Sequence, residues 1–319
     1  MLSHFIVAIF SVGLMVLGAG VVSGQDYPNR PIRILTQPPG GGTDFASRLI
    51  APGLAAGLNQ QVIVDNRAGV IAIETAAKAP ADGYTLLLYS NGMWLLPFLR
   101  DNVPWDPERD FSPITLATRS PNILVVHPSL PVKSVKELIA LAKARPAELN
   151  YSSAGASSMN HLAAELFKAM AGADMVHVPY KGGGPALGAA VGGEVSVLFA
   201  AASPASPHVK SGRLRALAVT SAAPSALFPG LPTVAASGLP GYEATLILGI
   251  FAPAKSSAAI INRLNREIVR VLDLPDVKER FLNAGVEAVG SSPGELAAAI
   301  KADMARWGKV IKDAGIKAD

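Results

Sequence analysis

Cysteine is missing from the whole chain, which removes disulfides, thiolate catalysis and cysteine-bound zinc or iron–sulfur sites together. Charge is scarce as well. Asp, Glu, Lys and Arg make up 16% of the residues, and the net charge of +4 comes from scattered Lys and Arg with no basic run that could follow a phosphate backbone, which argues against nucleic acid as a partner. The histidines form no H-x-x-x-H or H-E-x-x-H pair, so metal ligation is not indicated. The triple glycine Gly40-Gly41-Gly42 lacks the Lys-Ser/Thr of a Walker loop, and Gly155-Ala156-Ser157-Ser158-Met159 does not match the G-x-S-x-G elbow of a nucleophilic serine. No cofactor is expected.

What remains is a chain rich in apolar residues, half of the total, with Gly and Pro placed as punctuation. Its 319 residues suit one large domain or two of ordinary size. Residues 5–22 are almost wholly apolar and end in Val22-Ser23-Gly24, small-residue chemistry that suits a signal peptide spanning 1–24 with cleavage after Gly24. The rival is an uncleaved anchor helix, because residues 1–5 carry no Lys or Arg and the apolar run is just long enough to span a bilayer.

From Tyr27 on, short aliphatic runs alternate with amphipathic ones, the pattern of βα units around mostly parallel sheets. Strands are expected over 32–37, 62–65, 85–89, 123–127, 150–153, 175–178, 195–200 and 214–219. Helices are expected over 44–58, 134–144, 159–171, 185–191, 257–272, 276–284 and 293–314. Ser134 precedes Glu137 at capping-box spacing. Extended apolar stretches at 122–127 and 244–253 read as strands crossing between two lobes. This divides the chain into one lobe of residues 26–122 plus 254–319 and another of 123–253.

Three stretches pass from strand to helix through small or hydroxyl residues, and in open α/β sheets such loops face the ligand. The first holds Gly40, Gly41, Gly42, Thr43 and Asp44; the second Gly155, Ala156, Ser157 and Ser158; the third Tyr180, Lys181 and Gly182. Glycines let the backbone approach closely, and helix-start N–H groups favour an anion. Each loop also reads as a plain tight connection. His161 orders its loop or approaches Ser157 and Ser158 as a base, and Lys181 faces an anion or solvent. Arg48 and Arg67 guard a cleft or pair with Asp44, Asp65 or Glu74. Tyr89, with Ser90 and Asn91 after it, ends a strand and joins Met93 and Trp94 either in a pocket wall or in the core.

Several motifs together resemble the Bug family of periplasmic solute receptors, the binding components of tripartite tricarboxylate transporters. They are Tyr27-Pro28-Asn29-Arg30-Pro31-Ile32, the Pro38 to Asp44 loop, Asp82-Gly83-Tyr84-Thr85-Leu86, the stretch from Ser152 to Phe167, and His177-Val178-Pro179-Tyr180-Lys181-Gly182. The resemblance implies an α/β, two-lobed periplasmic binding protein, a type II-like Venus flytrap with two hinge-crossing strands. It implies a periplasmic monomer that is not an enzyme, with a small carboxylate ligand and the membrane components of the transporter as partners. In the family, loops matching 40–44 and 155–158 hold carboxylates through backbone donors and waters.

The chain departs from the family in three places. Asn66-Arg67-Ala68-Gly69-Val70-Ile71 replaces N-R-P-G-A-G; Ala200-Ala201-Ala202 stands after Phe199, where an Asp is frequent; and Leu246-Ile247-Leu248 replaces an aromatic. These losses make the pocket more apolar, with Ala200 in place of an amine-binding acid. A carboxylate with an apolar or aromatic body is therefore expected. A sensor for a signalling partner and a two-lobed hydrolase or transferase are the alternatives.

Overall fold

The computed structural model describes residues 27–39, 42–67, 70–155, 158–180, 182–313 and 315–317. The proposed signal peptide, Gly40, Gly41, Ala156, Ser157 and Lys181 lie outside them. β1 (Ile32–Thr36) pairs in parallel with β2 (Val62–Asn66) on one side and with β3 (Thr85–Ser90) on the other. The apolar run of β3 is buried along nearly its whole length, as a central strand covered on both faces requires. Each strand feeds a helix: α1 (Gly42–Leu58), α2 (Ile71–Ala77) and α3 (Gly92–Leu99).

β4 (Phe111–Val126) then runs for 16 residues through both sheets of the molecule. Up to Pro121 it pairs antiparallel with β9 (Thr245–Pro253), which also pairs with β3. From Asn122 onward it pairs with β7 (Val197–Ala201) and β8 (Arg215–Val219). The second sheet continues from β7 to β5 (Asn150–Ser153) and β6 (Val176–Pro179), both parallel. Around it lie α4 (Val135–Ala144), α5 (Met159–Ala171), α6 (Gly183–Gly192) and α7 (Ala202–Lys210). The chain closes with α8 (Ala258–Leu272), α9 (Pro275–Asn283), β10 (Glu287–Ala288) and α10 (Pro293–Asp313). A hydrophobic core running from Trp94, Phe251 and Trp307 to Tyr151, Phe167 and Tyr242 is continuous across both sheets.

Several expectations change. The strand expected over 123–127 is the end of a much longer one. Residues 245–253, expected to cross between lobes, pair among the described residues with β3 and the first half of β4. Just before β9 the chain is tied to β4 at Thr220, whose Oγ1 donates to Ala244 O at 2.6 Å and whose N–H donates to Asn122 O at 2.9 Å. Three helices were not anticipated. α7 contains Pro204 and Pro207, and α3 contains Pro97, so both read as loops by their breakers, and α2 spans only seven residues. At α4, Ser134 Oγ accepts from Glu137 N as expected, but Glu137 reaches back to Lys133 N instead of closing on Ser134.

Gly285, which follows α9 with φ of 73°, packs closely against α7. A Cβ there would stand 2.8 Å from the backbone nitrogen of Ser203 in α7. Left-handed strain and this clash act together, so Gly285→Ala should destabilise the protein by about 2 to 3 kcal/mol, read as a lowered denaturation midpoint. A midpoint equal to wild type would show that the contact is slack.

Candidate functional site

A cavity of about 450 Å³ opens between the two sheets at the carboxyl ends of their strands. Among the described residues its polar lining comprises Gln37, Tyr89, Ser90, Asn91, Asn122, Ser158 and Asn160. Its apolar lining is led by Leu95, Leu96 and Leu99 of α3, Met159 and Leu162 of α5, and Leu246 of β9. No charged side chain among the described residues lines it.

Four helices begin at this cavity. Val70, Asn91, Ser158 and Ala201 are the N-caps of α2, α3, α5 and α7, and all four line it. Only Ser158 caps its helix with a side chain, accepting from His161 N; the other three starts have no side-chain cap. Helix starts present unpaired N–H groups and the positive end of the macrodipole, so the cavity wall is electropositive without a cation.

The first Gly-rich loop meets this wall indirectly. Gly42, Thr43 and Asp44 form the opening turn of α1, and none of them lines the cavity. Thr43 Oγ1 donates to Gln37 Oε1 at 3.2 Å, and Gln37 Nε2 donates to the Tyr89 hydroxyl at 3.1 Å, so the turn braces two residues that do. Burial pushes the Tyr89 phenol above its ordinary pKa and keeps it a hydrogen-bonding neutral group. Asp44 Oδ1 accepts from Arg48 Nε and from Asn66 Nδ2, each at 2.8 Å. Arg67 forms a fork with Asp65 at 2.9 Å on both arms. Both arginines thus have acidic partners.

In the second loop Ser158 lines the cavity, whereas Gly155 and His161 do not. Ser158 Oγ donates to Gly155 O at 2.8 Å, which turns its proton away from any base. The His161 imidazole instead stacks on His177, centroids 4.0 Å apart and planes 11° apart, and both rings lie beside Tyr151. Burial, then the His177 ring, lowers the His161 pKa to about 4, and burial lowers that of His177. Below them Glu165 Oε1 accepts from the Tyr151 hydroxyl at 2.5 Å and from Lys168 Nζ at 2.8 Å.

The remaining candidates lie elsewhere. Tyr180 donates to Glu194 at 3.2 Å, and Gly182 is the N-cap of α6; neither lines the cavity. Ala200 is buried in the core beside Ile123 and Val125, and its neighbour Ala201 is the one at the cavity, because successive strand residues face opposite sides. Met93 and Trp94 are core residues, and the opposite face of α3 forms the wall.

Asn91 was expected at the site, but not its surroundings. Its Nδ2 donates to Thr245 O at 3.2 Å and lies 3.5 Å from both Met159 Sδ and Asp303 Oδ2. Asp303 is buried in α10, accepts from Trp94 Nε1 at 2.8 Å and lies 3.3 Å from Arg306 Nη2. Arg306 also donates to Glu243 at 2.5 Å, just before β9. Asn122, where β4 passes from one sheet to the other, and Asn160, whose Nδ2 donates to Phe199 O, complete the polar lining. Sequence signals existed for both, as lone amides next to apolar runs. Among the described residues no group of three acidic or histidine side chains is arranged to hold a metal ion.

Residues 46–316 match the tripartite tricarboxylate transporter family receptor. BugT of Bordetella pertussis is 37% identical over 319 aligned residues, covering 96% of this chain and 97% of BugT. A Rhodopseudomonas palustris protein solved with adipate is 37% identical with a TM-score of 0.77, over 92% of this chain and 99% of that one. MatC of the same organism, solved with bound malate, is 28% identical with a TM-score of 0.74, over 89% and 100% of the two chains. The match spans nearly every element from α1 to α10, and the chain belongs to the tripartite tricarboxylate transporter receptors, two-lobed solute-binding proteins rather than enzymes.

Proposed function

We propose that this receptor captures a small carboxylate with an apolar body in the cavity between its lobes and delivers it to the membrane components of a tripartite tricarboxylate transporter. The observation that carries the reading is the meeting of four helix starts at a cavity whose other walls are leucine and methionine. The carboxylate would sit against the helix starts and the amides of Asn122 and Asn160, and the body against α3 and Leu246. By the family resemblance, the two Gly-rich loops that include Gly40, Gly41, Ala156 and Ser157 would add backbone donors for it. The lobes would divide near Asn122 and Thr245, where β4 and the returning chain change sheets. Residues 1–24 would direct export to the periplasm, where the protein would work as a monomer.

Magnitudes permit this. About four charge-assisted hydrogen bonds at roughly 1.5 to 3 kcal/mol each give a gross ~6 to 12 kcal/mol, a range that contains the ~8.2 kcal/mol of a micromolar complex, with apolar burial offsetting part of the association cost. The adipate held by the relative has a plain methylene body of the kind these walls suit. Calorimetric titration with adipate, phenylacetate, citrate and aspartate tests the assignment. Micromolar binding of adipate or phenylacetate is expected; tight citrate or aspartate binding with neither of the others would overturn it.

A further inference from the structure

We propose that His177 and Ser153 are positioning residues that set the ligand-facing start of α5, an inference that rests on the carboxylate-binding reading above. The contacts close into a ring. His177 Nε2 lies 2.6 Å from Ser153 Oγ, Ser153 Oγ lies 3.1 Å from Gly155 O and accepts from Gly155 N at 3.2 Å, and Gly155 O accepts from Ser158 Oγ at 2.8 Å. Ser158 Oγ accepts in turn from His161 N at 3.3 Å, and the His161 ring returns to His177 by stacking at 4.0 Å. The two imidazoles thus grip both ends of the second Gly-rich loop, and Ser158 is the member of the ring at the cavity.

Counting hydrogens gives the ring its control point. A hydroxyl has one proton and two lone pairs. Gly155 N–H occupies one lone pair of Ser153 Oγ. If His177 carries a proton on Nε2, that N–H occupies the other, and Ser153 donates to Gly155 O, so all three contacts hold a hydrogen. If Nε2 is bare, the Ser153 proton turns to the ring and Gly155 O loses that donor. The protonation of His177 therefore decides how many bonds hold Gly155, and through Gly155 O how Ser158 is oriented. The charged and titratable groups facing the two rings are Tyr151 from β5 and Glu165 and Lys168 from α5. Burial lowers the pKa of both rings against the opposing pull of Glu165, so each is biased toward the neutral form, in which either ring nitrogen can carry the proton.

NMR of the unliganded protein tests the relay. As pH falls from 7.5 to 4.5, the amides of Gly155 and Ser158 should shift with the midpoint of the His177 imidazole, and Ser153→Ala should abolish their shift while the imidazole still titrates. Adipate affinity should fall about 5-fold in Ser153→Ala and in His177→Phe, which keeps the stack, and stay within about 2-fold in His177→Gln, which keeps a donor and an acceptor. Amides that ignore the imidazole in wild type, or folded Ser153→Ala and His177→Phe with wild-type affinity, would overturn the proposal. If wild type binds no carboxylate, the function reading fails and the amide titration alone decides this one.

Discussion

Ala201→Asp should reduce affinity for adipate at least about 30-fold, because it sets a second carboxylate against the ligand's own at roughly 2 kcal/mol or more of repulsion. Ala201 stands exposed at the cavity as the uncapped N-cap of α7, with φ of −58° and ψ of 136°. An Asp in that conformation can accept from the first turn of α7, and such a cap stabilises by about 1 kcal/mol. Loss of binding would therefore come with an unchanged or slightly raised melting point, which separates charge repulsion from unfolding. The same carboxylate offers a partner to an ammonium group, so weak binding of aspartate or another α-amino acid should appear. Full adipate affinity in the folded variant would place the ligand's carboxylate away from α7.

Asp303→Ala should cost roughly 2 to 4 kcal/mol of stability, since it strands the Trp94 indole N–H and leaves Arg306 with Glu243 alone. Asp303→Asn should cost far less. Its amide oxygen still accepts from Trp94, and burial already holds the Asp303 pKa above its ordinary value, so the charge is an expensive one to keep. The sign of the pH effect follows. The folded state holds this proton more tightly than the unfolded chain, so Asp303 favours folding most at acid pH, and that advantage fades as pH rises through 3.8 toward the raised folded value. Asp303→Asn should accordingly lose part of the pH dependence of the denaturation midpoint. Both variants bear on ligand binding through Asn91, which Asp303 helps to orient, and adipate affinity should drop more in the Asp303→Ala variant. Equal stability of Asp303→Ala and wild-type protein would show that Trp94 finds another acceptor.

Much of this architecture was legible because local chemistry and tertiary position agree. The strand at Asn150–Ser153 and the helix at Met159–Ala171 flank a stretch of small and hydroxyl residues, and both stand where the sequence puts them. The wall of the cavity was not legible, and α3 shows why. Its sequence GMWLLPFL has no polar face, so periodicity cannot tell which side meets the core. Trp94 went inward with Phe251, and Leu95, Leu96 and Leu99 went to the cavity. Ala200 and Ala201 differ by one step of a strand, and a run of three alanines gives no hint of which faces in. Asp303 lies beyond sequence reasoning altogether, because its partners Asn91 and Trp94 come from the far end of the chain. Gln37 and Asn122 were within reach, as polar residues at the end of one buried strand and in the middle of another.

The place of β9 in the first sheet has a consequence for when the protein can finish folding. Among the described residues β3 and β4 have no ladder with each other; β9 is the strand that joins them. Residues 245–253 leave the ribosome only after the whole second sheet has been made, so until then the first sheet exists as two unconnected pieces. A chain exported in the order of its synthesis would carry that gap with it, remaining threadable through a translocation channel and locking its central ladder once β9 had followed the second sheet through.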